Sequence, residues 1–246
     1  MSNSLFSSKE ILYQDFRPEY PPSIISDLES AFDIKLNGKI AEFGCGTGKL
    51  TKYLSGKNRH IYAVEPDKEM LDRVPMNNVS ITKIIGTAEN SKLSSSSIDF
   101  ILSAQAFHHF EPVLSKDEFK RILKENGQII LLWYFSDMSQ SIAREIRKTF
   151  YCFGRLLNQP KRMKITKHSI GSLFSEYNVS CKQVGTIEQT LNLNNFLGSM
   201  CSSSYAPKPS DSIFDDYKGE FVRLFGLHHK SGEVACRFNI LAYHIF

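Results

Sequence analysis

The order of apolar and polar positions divides this chain into two stretches with different rhythms. Through residue 135, short apolar runs alternate with stripes at helical spacing. Ile24, Ile25, Leu28 and Phe32 mark one face of a helix that closes near Asn37-Gly38. Ile40, Ala41 and Phe43 then form a run bounded by Gly38 and Gly44, the pattern of a strand buried on both faces. Leu50, Tyr53 and Leu54 return to helical spacing, with Gly56 as a stop. His60 to Glu65 reads as a second strand. Pro66 and Asp67 open a helix with Met70, Leu71 and Val74, which Pro75 ends. Val79 to Ile85 and Ile98 to Ala104 are the third and fourth strands. A capping box at Ser115-Lys-Asp-Glu118 starts a helix with Phe119, Ile122 and Leu123 facing inward, stopping at Asn126-Gly127. Gln128 to Phe135 is the fifth strand. Strands alternating with helices in this way predict βαβ units and a parallel, doubly wound sheet.

Beyond Ser136 long amphipathic stripes take over. Ile142, Ile146, Phe150, Phe153 and Leu157 predict one helix, with Arg144, Glu145, Arg147 and Lys148 opposite. Thr166 to Phe174 predicts another, Cys181 to Leu191 a strand, and Asn192 to Met200 a further helix. Pro207-Lys-Pro209 breaks the chain before a stripe of Ile213, Tyr217, Phe221 and Leu224, and Val234 to His244 is the closing strand. Counting both late strands gives seven.

The candidate chemistry gathers where the first strand meets its helix. Glycines stand at 44, 46 and 48, and glycine lets a backbone take φ > 0 and approach a ligand closely. Backbone amides at the start of a helix favour electronegative ligand atoms. The dinucleotide fingerprint needs a glycine where this chain has Lys49, which disfavours a nicotinamide dehydrogenase. Glu42 stands two residues before Gly44, where an ammonium group can be held. Glu65 lies 21 residues beyond Gly44 at a strand's carboxyl end, the spacing at which an acid takes the hydroxyls of an adenosine ribose.

Composition narrows the classes. The 246 residues suffice for one α/β domain with insertions, and 41% hydrophobic with 23% charged residues is ordinary for a soluble globular protein. No apolar run approaches a membrane span, and the N-terminus has no apolar signal core, so a cytoplasmic protein without membrane attachment is expected. The five cysteines are scattered and lack C-x-x-C spacing, which argues for a reducing compartment and against a disulfide frame or a structural zinc. Net charge is +4. The basic run Lys161, Arg162, Lys164 and Lys167 has no interleaved aromatics for base stacking and reads as a solvated loop, so no nucleic-acid partner is expected.

The sequence Glu42-x-Gly44-x-Gly46-x-Gly48 resembles the first motif of class I S-adenosylmethionine-dependent methyltransferases. Tyr13-x-x-Phe16-Arg17-Pro18-x-Tyr20-Pro21 is similar to the N-terminal segment of the trans-aconitate methyltransferase-like, small-molecule group. Gly86-Thr-Ala88-Glu89-Asn90, Ala104-Gln105-Ala-Phe-His108-His109-Phe110 and Ser203-x-Tyr205-x-Pro207 also resemble segments of that group. The resemblance is dense from Tyr13 to Phe135 and loose afterwards. Two departures are the Ser94–Ser97 turn, where relatives carry a proline, and His109-Phe110, where relatives often carry a tryptophan.

The resemblance implies one domain over residues 1–246. Its fold is a doubly wound, seven-stranded Rossmann-like α/β sheet with the last strand antiparallel. Residues 1–22 form a strap, and helical insertions over 136–178 and 192–232 form a cap over the carboxyl edge. It implies methyl transfer from S-adenosylmethionine, leaving S-adenosylhomocysteine, to a small-molecule acceptor, by a monomer or homodimer with no metal. The implied cofactor set is Tyr13 and Arg17 at the methionine end, Glu42, Gly44, Cys45, Gly46, Gly48, Glu65, Pro66, Met70, Ala88, Glu89 and Gln105. His109 and His108 lie beside the transferable methyl. His109 aligns best as the group that accepts a proton or orients the nucleophile, while His108 helps form the wall. Phe150, Tyr151, Phe153, Phe196, Tyr205 and Phe214 read as core first and as cavity lining second. Two other readings share the fold: an RNA or protein methyltransferase, and a non-catalytic S-adenosylmethionine-binding protein.

Overall fold

In the computed structural model, residues 16–54, 56, 58–75, 80–156, 165–203 and 206–246 are described. Seven strands form one sheet: β1 Gly38–Phe43, β2 Arg59–Glu65, β3 Ile81–Ile85, β4 Ile98–Ala104, β5 Leu123–Ser136, β6 Val179–Asn192 and β7 Glu233–Ile245. Their spatial order is β3-β2-β1-β4-β5-β7-β6. The pairs β1·β2, β1·β4, β2·β3 and β4·β5 are parallel. Asn178, just before β6, and Phe246, just after β7, exchange two backbone hydrogen bonds of 2.9 and 3.1 Å, the signature of an antiparallel pair. The expected doubly wound sheet with its late antiparallel strand is therefore present.

The helices among the described residues are α1 Ile24–Phe32, α2 Thr51–Leu54, α3 Lys68–Asp72, α4 Pro112–Ile122, α5 Ser141–Leu156, α6 Lys167–Leu173, α7 Leu193–Cys201 and α8 Phe214–His228. A 3-10 turn spans Phe107–His109. None of them is long and apolar enough to cross a membrane.

The chain divides into two compact units. The first holds the described residues within Met1–Glu19, Ser136–Lys161 and Thr186–Asn239, and the second holds Tyr20–Phe135, Arg162–Gly185 and Ile240–Phe246. The second unit is built on strands buried on both faces: Ala41, Phe43, Ile101, Ile129 and Leu131 lie at 1% exposure or less. Phe119 and Ile122 of α4, Ile170 of α6 and Phe174 join the same core. The stretch 136–178 thus splits, because α6 buries its apolar face in the sheet's core while α5 belongs to the other unit. The first unit packs Ile142 and Ile146 of α5 against Phe196, Met200, Tyr217, Phe221 and Leu224 of α7 and α8. Phe196 is fully buried, Phe150, Phe153 and Phe214 pack on this core, and Tyr151 is exposed; Tyr205 lies outside the described residues. A groove of about 420 Å³ in this unit is bordered by Glu145, Lys148, Cys152, Phe153, Glu220 and Arg223. Phe153 thus both packs on the core and borders this groove, while Phe196, Phe150 and Phe214 pack in or on the core.

Two boundaries differ from the pattern. The helix expected from Ser115 begins three residues earlier, at Pro112, because Glu111 caps it by accepting the Leu114 amide at 2.7 Å. Glu118 is engaged elsewhere, accepting Ser91's amide and hydroxyl at 2.8 and 2.5 Å and pairing with the Arg121 guanidinium. Burial pushes its carboxyl up, but Arg121 and Ser91 outweigh that and hold it down at about 2. That helix ends at Ile122, and β5 starts at Leu123 rather than Gln128, crossing a register shift between Ile98 and Phe100 of its partner.

Candidate active site

The strands β1, β2 and β4 run parallel, so their carboxyl ends deliver Phe43, Glu65 and Ala104 to one edge. The chain leaves β1 through the glycine loop. Gly44, Gly46 and Gly48 all have positive φ, at 63°, 56° and 83°. A Cβ on Gly44 would lie 2.4 Å from the Cβ of Ala106, and one on Gly48 would lie 3.0 Å from Pro75 Cδ. Space and conformation both demand glycine at Gly44, and the left-handed backbone with a tight neighbour favours it at Gly48. The amides of Gly44 and Cys45 donate to the Val64 carbonyl at 2.9 and 3.3 Å, which ties the loop to the end of β2.

Glu65 closes that tie. Its Oε2 accepts the Gly46 amide at 2.9 Å and its Oε1 accepts the Asp67 amide at 3.2 Å. Burial raises its pKa, an effect that these two amides oppose. Pro66 is exposed, and Met70 is half-buried in α3, whose N-cap Asp67 accepts the amides of Glu69 and Met70.

Glu42 lies sealed beneath the loop at 1% exposure, with Oε2 accepting the Thr51 hydroxyl at 2.6 Å. Burial pushes its carboxyl up to about 8, opposed by the Thr51 bond and aided by the charge of Glu65. Burial therefore favours the protonated form of Glu42 in the free protein. The buried Cys45 thiol is raised too, by burial and then by Glu42 and Glu65.

The loop after β3 folds through paired Thr87 and Asn90 backbone bonds. Ala88 joins the core at 3% exposure, and Glu89 Oε1 accepts the Glu111 amide at 2.8 Å. At the exit of β4, Gln105 takes φ = 58°, a left-handed conformation costly for a residue with a Cβ. Its amide donates to the Leu132 carbonyl at 2.9 Å and its Nε2 to the Tyr134 carbonyl at 3.4 Å. The 3-10 turn that follows carries His108, half-buried, and His109, exposed, with ring centroids 4.1 Å apart. Trp133 Nε1 donates to His108 Nδ1 at 3.2 Å.

Glu42, the glycine loop, Glu65, Ala88, Glu89, Gln105 and the two histidines therefore lie in one unit, around one edge of its sheet. Arg17 lies in the other unit, where its Nη2 donates to the Ser202 carbonyl at 3.1 Å. Tyr13 lies outside the described residues. Thr51, Glu111 and Trp133 went unnoticed in the sequence. Each is a single partner brought in from a separate element, and no local pattern marks it.

These residues fit an adenosine cofactor. The left-handed glycines keep side chains out of the loop, and each Glu65 oxygen retains a second lone pair for a ribose hydroxyl. The Thr47 hydroxyl in the loop is buried with no protein partner among the described residues.

Residues 41–131 match a family model described as a methyltransferase domain. An uncharacterized methyltransferase of Schizosaccharomyces pombe is 34% identical over 128 residues, covering 52% of this chain and 51% of that protein. The chain spans about half the length of the curated relatives it matches. A type II methyltransferase structure from Anaeromyxobacter dehalogenans superposes with a TM-score of 0.65 at 17% identity, covering 93% of this chain and 97% of that one. The Haemonchus contortus phosphoethanolamine N-methyltransferase 2, in complex with phosphomonomethylethanolamine and S-adenosylhomocysteine, gives 0.58 at 12% identity, covering 98% and 58%. At those identities the likeness is one of fold.

Proposed function

We propose that this chain is a class I S-adenosylmethionine-dependent methyltransferase, which binds S-adenosylmethionine and transfers its methyl group to a small-molecule acceptor; the methyltransferase-domain match over residues 41–131 and the curated relatives support this reading. The observation that carries this reading is the clasp between Glu65 and the Gly46 amide, which sets a carboxylate beside a glycine loop at the end of β2. Glu65 holds the ribose hydroxyls, and the loop backbone from Gly44 to Gly48 lies along the cofactor. Ala88, Glu89 and Met70 border the adenosine side, and Gln105 shapes the edge nearer the methyl. Tyr13 and Arg17 are assigned to the methionine end on resemblance.

S-adenosylmethionine supplies an electrophilic methyl on a sulfonium. The protein then has to hold a nucleophile in line with that methyl and to exclude water, an orientation worth about 7–11 kcal/mol of barrier. His109, exposed at this edge, orients the nucleophile or accepts its proton. The scattered cysteines support a reducing compartment such as the cytoplasm, and the mild net charge supports a small-molecule rather than a nucleic-acid acceptor.

Calorimetry with S-adenosylmethionine, and with NAD as control, tests the cofactor. Mass spectrometry for a CH₂ gain across a metabolite extract tests the transfer. Binding of NAD, or of neither ligand, overturns the reading; binding without any methylated product leaves a binding protein instead of an enzyme.

A further inference from the structure

We infer that Trp133 is a positioning residue that holds His108 as the neutral Nε2–H tautomer, so that His108 serves as a hydrogen-bond donor and is not a proton acceptor. An indole nitrogen can only donate, so the 3.2 Å contact from Trp133 Nε1 requires a lone pair on His108 Nδ1. The proton of the neutral ring then sits on Nε2. A ring in that state has no second lone pair with which to take a proton.

The donor cannot readily turn away. Trp133 is 2% exposed on β5, and its ring meets Phe107 at 87° and Tyr243 at 84°, with centroids 6.4 and 5.7 Å apart. Phe107 is itself 1% exposed and packs against Phe110, Phe119 and Phe174, so the turn carrying His108 is anchored from beneath. Three consecutive residues of β5 hold the segment 105–108. Leu132 and Tyr134 accept from Gln105 through their carbonyls, and Trp133 between them donates to His108 through its side chain. Within this pair, proton acceptance falls to the exposed His109. That last step rests on the methyl-transfer reading, whereas the tautomer does not.

These 246 residues hold one tryptophan, so its indole N–H resonance is unambiguous in this chain. With ¹⁵N-labelled protein at neutral pH, that N–H is expected to exchange slowly. The ¹⁵N correlations of His108, identified by their loss in His108→Asn, are expected to show an unprotonated Nδ1 and a protonated Nε2. His108→Ala should speed indole exchange by at least about tenfold, the change that loss of one hydrogen bond makes. His108→Asn places an amide oxygen where Nδ1 stood and should restore slow exchange; Trp133→Phe should shift the His108 correlations toward a tautomer mixture. A protonated Nδ1 in the wild type, or equal indole exchange in wild type and His108→Ala, overturns the inference. Neither readout depends on S-adenosylmethionine binding, so failure here is distinguishable from failure of the proposed function.

Discussion

Glu65→Gln alters the proposed cofactor site with almost no change of shape. In the wild type both carboxylate oxygens accept backbone amides, from Gly46 at 2.9 Å and from Asp67 at 3.2 Å. A glutamine has one oxygen, so its NH₂ must face one of those amides, donor against donor. The shorter Gly46 contact keeps the carbonyl, and the NH₂ turns toward Asp67. The side that would accept a ribose hydroxyl there becomes a donor, and the charge is lost from the remaining bond. Losing one charged hydrogen bond costs about 1.5–3 kcal/mol, or roughly 10- to 150-fold in Kd. Burial already disfavours the ionised carboxylate, so removing the charge relieves a cost in the free protein. That relief and the unmet Asp67 amide oppose each other, so the melting temperature is expected to change little while S-adenosylmethionine binding weakens. Calorimetry on wild type and variant, with thermal melts in the same buffer, measures both. If the folded variant binds S-adenosylmethionine within about threefold of wild type, Glu65 does not hold the ribose.

Gly44→Ala should abolish measurable cofactor binding and lower stability by about 1–3 kcal/mol, since the added Cβ meets Ala106 at 2.4 Å in a left-handed conformation; urea unfolding and calorimetry report the two effects. Glu42 has an ordinary value of 4.5 and a folded value of about 8, so over that window the folded chain keeps a proton that the unfolded chain has released. Stability should accordingly fall as pH rises through it, and Glu42→Gln should flatten that slope when unfolding midpoints are compared at pH 5 and 8. His244 titrates the other way: burial, with Lys182 nearby, depresses it from 6.5 to about 4, and it contacts Gln128 Oε1 at 2.8 Å. Its contribution is full above 6.5 and is lost as pH falls toward 4, so His244→Phe should weaken the acid-side decline while costing about 1 kcal/mol at pH 7 for the unmet Gln128 carbonyl.

The left-handed Gln105 connects the strand exit to the turn chemistry. A non-glycine residue stays there because two carbonyls of β5 accept its amide and its side chain, which offsets strain of about 1–3 kcal/mol. The same carbonyls flank Trp133, so relaxing Gln105 would also displace the histidine turn.

Local order carried much of this protein. Alternating apolar runs and helical stripes have meaning within a few residues, so the strands, the parallel sheet, the glycine loop and the acid at Glu65 were legible in the sequence. Helix boundaries were less so: Ser115-x-x-Glu118 satisfies a capping pattern, yet Glu111 caps the helix and Glu118 binds Ser91 and Arg121. Two residues three apart say nothing about a competing acceptor one turn earlier. What only the tertiary structure decided were the states of the charged and titrating groups. Glu42 became a sealed carboxyl with a raised pKa because the strand registry buries it, an effect that the Thr51 hydroxyl from α2 opposes. His108 became a donor because β5 brings Trp133 to it from 25 residues away. A side chain's ionisation and tautomer depend on which atoms exclude water and which face it, and those come from separate strands that meet only once the sheet has formed.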